Sequence, residues 1–234
     1  MTLTFSRRLP LYCLLASLVL GAILIPWPTT ARVWLSGETG LIEIATIVFA
    51  LWGSWTAVQI VRDRKRLPHP ALAFWYGLFA VALFLLAGEE GSWGQSWFHW
   101  ETPEGYRALN NQGETNLHNL HSFTEQVPKG LLVLAALAGG VVWPIHASLR
   151  KRGPYLGTGW FSWVWPSSLL WPAAALTMVF RILERVLVAT DMEDLVRAQY
   201  IGVRESIELY GVLFMLAYLW DVRRRMLSET PASP

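Results

Sequence analysis

The sequence predicts an all-α fold: a polytopic membrane helical bundle of about six transmembrane helices, with an interfacial helical segment on its outer face. Three observations predict it. The chain is 53% hydrophobic but only 15% charged, with a mean hydropathy of +0.35, whereas soluble domains carry about 25% charged residues. Six apolar stretches approach the roughly 20 residues a helix needs to cross about 30 Å of hydrocarbon. The charges also segregate. Arg7/Arg8, Arg62/Arg64/Lys65/Arg66, Arg150/Lys151/Arg152 and Arg223/Arg224/Arg225 hold most of the 19 basic residues and fall on one side of a six-helix arrangement. The positive-inside rule makes that side, with both termini, cytoplasmic, in a bacterial inner membrane. The opposite side carries most of the 17 acidic residues. The net charge of +2 hides this segregation and gives no reason to expect nucleic acid as a partner. The single cysteine, Cys13, excludes an intrachain disulfide and a thiolate cluster.

The predicted helices occupy approximately 9–27, 41–61, 71–88, 130–145, 160–180 and 200–220, in one integral membrane domain spanning 1–234. The first follows Arg7 and Arg8 and ends in Pro26-Trp27-Pro28. A signal peptide cleaved near Thr29-Thr30-Ala31 has similar flanks, but the long apolar run and its Pro-Trp-Pro stop favour an uncleaved helix. Glu43 stands three residues into the second helix, able to reach the surface or point inward. The inner loop RDRKRLPHP is a basic anchor in which Pro68 and Pro70 end one helix and start the next, and His69 reads as a solvated loop residue.

The outer-face segment, 88–128, is where the chemistry concentrates. The third helix delivers Glu89 and Glu90 to the outer surface, where ionisable groups are costly in lipid. Neighbouring helical residues point about 100° apart, so the two carboxylates need not share a role. Trp93, Trp97, Phe98 and Trp100 suit the headgroup level, and Gln95 lies among them. Thr102-Pro103-Glu104 reads as a helix start. Beyond a polar turn, Glu114, His118 and His121 fall at i, i+4 and i+7 on one helical face. That stripe admits two readings. It is a three-ligand set for a divalent metal, zinc first and manganese or iron next, or a polar face that meets headgroups or arginines. Asn116 and Asn119 lie on other faces, suited to capping or binding.

The fourth helix is a scaffold whose Gly139-Gly140 permits close packing. Tryptophans bracket the fifth, which Pro166 and Pro172 kink, and at its outer end Glu184 lies one turn from Arg181, with Arg185 beside it. The sixth opens with Arg204, Glu205 and Glu208. Acidic groups recurring at one depth on several helices predict a single cluster of Glu43, Glu89 or Glu90, His118, and Glu205 or Glu208. Arg181, Arg185 and Arg204 are its available counter-charges, because packed carboxylates without cations repel and take up protons.

Gly88-Glu89-Glu90-x-Ser92-Trp93-Gly94-Gln95, then Glu101-x-Pro103-Glu104, then Asn111-Gln112-Gly113-Glu114-x-Asn116-Leu117-His118-Asn119, resembles the signature of an uncharacterised family of bacterial multi-pass membrane proteins. The likeness extends loosely to Gly40-Leu41-Ile42-Glu43 and Glu205-x-x-Glu208-Leu209. It implies a multi-pass membrane fold and carries no activity with it. A more distant likeness is to ceramidase-type hydrolases, which hold zinc at a membrane face. Those place a histidine pair on the last helix, where this chain has none, so no ligand assignment follows.

Two function classes remain. One is a metal-dependent hydrolase or transferase acting on a lipid or lipid-linked substrate at the outer leaflet. Glu114, His118 and His121 would be its ligands, and Glu89 or Glu90 its general base. The other is a non-catalytic membrane protein, either an ion- or proton-coupled carrier or a ligand-binding or assembly subunit, whose charges form a structural ion-pair network. Apolar helix centres argue against a transport path through mid-membrane.

Overall fold

The computed structural model describes residues 40–107, 122–192 and 197–228, and every regular element among them is helical. The predicted helix 9–27 and the stripe from Glu114 to His121 lie outside the described residues. The longer helices are α1 (Leu41–Arg62), α2 (Ala71–Glu90), α5 (Ser122–Ala135), α8 (Trp171–Ala189) and α9 (Arg197–Ser228). Short ones between them are α3 (Gln95–Phe98), α4 (Glu104–Arg107), α6 (Trp143–Leu149) and α7 (Phe161–Val164). Among the described residues, three stretches are long and apolar enough to cross a membrane: Leu41–Arg62, Ala71–Glu90 and Lys129–Leu149.

Helix α1 is mostly apolar on every side, and Ile42, Ile47 and Ile60 near its ends are buried with the rest of the inward face. Along its middle, residue size separates the faces. Ala50, Gly53, Ser54 and Ala57 face the bundle, while Val48, Leu51, Trp52, Trp55 and Val58 stand exposed. Small residues inward and large ones outward is how helices pack where lipid is as apolar as any core. The close approach lets Ser54 Oγ donate to the Ala80 carbonyl of α2 at 2.7 Å. On α2 the exposed set is Phe74, Leu78, Val81, Phe84 and Leu85.

The central element is α9. It runs for 32 residues, ~48 Å at 1.5 Å per residue, and buries Val212, Phe214, Leu216, Leu219 and Val222 on several sides. It packs against both α1 and α8, and Tyr210 stacks on Phe180 of α8 with ring centroids 5.5 Å apart.

The fourth span is longer than the predicted 130–145, and its middle is a π-helical segment, Ala136–Val142. Pro144 accounts for the irregularity: it has no N–H for the preceding turn and its ring crowds that turn's carbonyl. Gly140 lies inside this segment. A Cβ there would stand 2.0 Å from Ala174 Cβ and 3.2 Å from Phe214, so only glycine lets the segment close on α8 and α9.

The predicted fifth helix, 160–180, is not one helix. It stops after Val164, the chain is extended at Trp165, and α8 begins at Trp171. Pro166 ends the first piece, Ser167 Oγ accepts from Leu169 N at 3.3 Å to start the next turn, and Pro172 sits in the first turn of α8, where a missing N–H costs nothing. The carbonyls stranded at the end of α7 find tyrosines instead. Tyr76 Oη donates to the Trp163 oxygen at 2.5 Å, and Tyr218 Oη lies 2.9 Å from the oxygens of both Trp163 and Val164. The break thus ties α2 to α9. Helix α8 then runs on past 180 to Ala189, carrying Arg181, Glu184 and Arg185 within it.

The two ends of the bundle differ in charge. At one end Asp63 reaches Arg223 at 3.8 Å and Arg225 stacks over Tyr155 and Trp163, 4.1 Å from each ring centroid. At the other end lie Glu43 of α1, Glu89 and Glu90 of α2, and Glu205 and Glu208 of α9.

Candidate functional site

The end of α2 is shaped by a tight reversal. Ser92, Trp93 and Gly94 all have positive φ, 43°, 54° and 89°, a run of left-handed backbone that a tryptophan adopts only when its surroundings hold it there. The neighbours supply that hold. Trp93 Nε1 donates to Glu89 Oε1 at 2.9 Å, and its ring packs edge-on to Phe84 with centroids 6.2 Å apart. The same ring lies so close to Gly88 that a Cβ there would meet it at 2.7 Å. Gln95 Nε2 then donates to Thr102 Oγ1 at 2.8 Å and to the Trp100 carbonyl at 3.2 Å, closing the loop on itself. Thr102 is therefore buried against Gln95, and the following helix begins at Glu104.

This arrangement separates the adjacent carboxylates. Glu89 turns outward to Trp93. Glu90, the last residue of α2, turns into the bundle, where its carboxyl lies in hydrogen-bonding contact with that of Glu208 on α9, with Lys129 and Glu43 near enough to act on it electrostatically. Lys129 Nζ stands 2.8 Å from Glu208 Oε1; the two side chains are 32% and 12% exposed. Arg204, one turn earlier on α9, adds a second positive charge within reach of Lys129. The site is thus built from α1, α2, α9 and the start of the Lys129–Leu149 span.

The other anticipated residues are placed as follows. Glu205 is partly buried on α9, one turn before Glu208, and Arg204 is exposed. Arg181 donates to Glu184 on the same helix, so this pair is engaged internally. Gln95 serves the reversal. Asn116, with Glu114, His118 and His121, lies outside the described residues. Among the described residues no group of three His, Cys, Asp or Glu is arranged to hold a metal ion.

Beside the counter-charges expected from sequence, Arg181, Arg185 and Arg204, the structure adds Lys129, which supplies the ion pair to Glu208. The signal was present: a lone cation at the head of an otherwise apolar span, Pro128-Lys129-Gly130, at the depth where the carboxylates collect.

Carboxyl groups held this close repel unless positive charge offsets them, and the Lys129 ammonium beside Glu208 supplies some of it. In a site of low dielectric such groups act on one another strongly, the requirement for general acid–base work. No family model, no functionally described protein and no solved structure matches this chain.

Proposed function

We propose that the protein is a six-span integral protein of the bacterial inner membrane, with both termini cytoplasmic. In this reading it is a hydrolase or transferase acting at the outer face on a lipid or lipid-linked substrate. The observation that carries the reading is the Glu90–Glu208 contact beside Lys129: two carboxyls and an ammonium held together at the end of an apolar bundle. Exposed Trp93, Trp97, Phe98 and Trp100 supply the headgroup-level surface along which such a substrate would approach. Glu90 and Glu208 are then the acid–base pair, and Glu89 positions the loop. Glu114, His118 and His121 are the residues that would hold a divalent metal, zinc first. Such an ion would supply a water of lowered pKa.

The test compares membrane lipids and lipid-linked intermediates from a deletion strain complemented with wild type, Glu90→Gln, Glu208→Gln or His118→Ala. One lipid species is expected to accumulate in the deletion and in all three variants, each still folded and inserted. Zinc should copurify with wild type and not with His118→Ala. An unchanged lipid profile in the deletion strain would overturn the proposal. The closed Lys129–Glu208 pair favours a second reading, a structural ion-pair network. Under it, Glu90→Gln loses stability yet restores the wild-type lipid profile.

A further inference from the structure

We propose that the basic end of the bundle is a binding surface for anionic phospholipid headgroups, assembled from two loops that His69 and Trp160 hold side by side. The His69 ring stacks on Trp160 with centroids 5.4 Å apart and planes 30° apart. The loop carrying Arg64, Lys65 and Arg66 is thereby joined to the one carrying Arg150, Lys151 and Arg152, and all six side chains are exposed.

Their charge is not cancelled from within. Among the described residues the acids at this end are Asp63 and Asp221, and both are engaged by arginines of α9: Asp63 by Arg223 at 3.8 Å and Asp221 by Arg224 at 2.8 Å. The six loop cations therefore present a positive surface outward.

A second observation comes from the end of α6. Arg152 N donates to the Ala147 carbonyl at 2.9 Å and Lys151 N to that of Ser148 at 3.1 Å, with Lys151 at φ 48°. This is the Schellman closure, whose left-handed position glycine fills best. The chain keeps a lysine there, accepting backbone strain and gaining a charge.

The depth of the cations selects the ligand. They sit immediately past the ends of the apolar spans, at Arg62 before one loop and Leu149 before the other. Leu149, Trp160 and Phe161 between them are 79%, 47% and 44% exposed. Cations bordering exposed apolar side chains at a helix end match a phosphate headgroup with its acyl chains beside it. A soluble polyanion would leave those apolar groups in water.

The test uses the full-length protein, delipidated in neutral detergent and titrated with phosphatidylglycerol or phosphatidylcholine of identical acyl chains, read by native mass spectrometry. Phosphatidylglycerol should bind on the order of tenfold more tightly, with the preference shrinking as salt rises. Changing all six cations to Gln should abolish the preference, and exchanging Lys for Arg and Arg for Lys should keep it. Lys151→Gly separates charge from fold: it should unfold at the same temperature or higher while binding phosphatidylglycerol more weakly. Equal binding of the two lipids by wild type, a preference that survives the six Gln changes, or displacement of phosphatidylglycerol by an equimolar short RNA would each overturn the proposal.

Discussion

Lys129 Nζ lies 2.8 Å from Glu208 Oε1, joining the head of one apolar span to α9. Its removal leaves Glu208 beside Glu90 and Glu43 with less positive charge to offset them. Lys129→Met should therefore destabilise the protein by roughly 1–3 kcal/mol, below the figure for a fully buried pair because Lys129 keeps some exposure. Adding Glu208→Gln should recover most of that loss, since the double variant leaves no orphaned charge. Thermal unfolding of the single and double variants in detergent, read as a double-mutant cycle, checks the coupling. Additive effects would show that the pair contributes nothing.

Gly88 and Trp93 make a separable prediction about how Glu90 is aimed. Gly88→Ala puts a methyl 2.7 Å from the indole ring, so the ring must leave and the left-handed reversal with it. The expected cost is about 1–3 kcal/mol, together with the functional defect of Glu90→Gln. Trp93→Phe loses the 2.9 Å bond to Glu89 and the outer part of the indole ring but adds no clash at Gly88, so it should be milder. Complementation measured beside unfolding temperature ranks the two; a Gly88→Ala protein with full function would refute the positioning role.

Much of the fold was legible because lipid-facing helices announce themselves as apolar runs. The ends at Arg62, Ala71 and Glu90 fall where basic residues, prolines and the GEEG sequence interrupt those runs. The inward face of α1 was not legible. Ala50, Gly53 and Ala57 differ from Leu51 and Trp55 in size rather than polarity, and an apolar-periodicity argument has nothing to work on. The fifth helix was overextended because Trp160–Trp165 is apolar enough to pass as helix, while Pro166 breaks the chain and tyrosines from α2 and α9 accept the consequences. At the site, the proximity of Glu43, Glu90 and Glu208 could be expected from helix ends alone. The division of labour between Glu89 and Glu90 depended on left-handed backbone at Ser92 and Trp93, which no local propensity encodes. Lys129 pairs with a residue far along the chain, a contact visible only after folding.

Gly140 gives a packing prediction. A methyl there would stand 2.0 Å from Ala174 Cβ, inside any tolerable contact, so Gly140→Ala should cost about 1–3 kcal/mol by overpacking. Ala174→Gly alone should cost less, and the double variant should regain part of the loss by returning the space. Unfolding temperatures of the three variants decide it, and strict additivity would mean that the π-helical segment simply moves away.

The proposed six-span arrangement makes a prediction independent of any side chain. Alkaline phosphatase fused after Arg66 should be inactive and after Ser122 active, with a cytoplasmic reporter giving the reverse pattern. Equal activity at both positions would refute the arrangement, and with it the placing of Glu90 and Glu208 at the outer face.

Tyr155 makes the pH prediction. Its Oη donates to Asp221 Oδ2 at 3.1 Å, and its ring lies against the Arg225 guanidinium. Burial, then the adjacent Asp221 carboxylate, hold the phenol above its ordinary value of 10.0, and the Arg225 charge offsets only part of that. The sign follows from which state keeps the proton. Above the unfolded value the unfolded chain has lost it while the folded chain still binds it, so raising the pH favours unfolding. The stability Tyr155 contributes is fully present below pH 10.0 and is lost as the pH climbs through the higher folded value. Tyr155→Phe keeps the ring over Arg225, loses the bond to Asp221, and cannot ionise. Its unfolding temperature should be lower than wild type near neutrality, and the gap should narrow as the pH rises above 10.0. Unfolding in detergent across that range, with Tyr155→Phe and wild type side by side, reads the difference directly. A gap that stayed constant with pH would show that the Tyr155 proton is not linked to folding, and the bond to Asp221 would then matter only for its geometry.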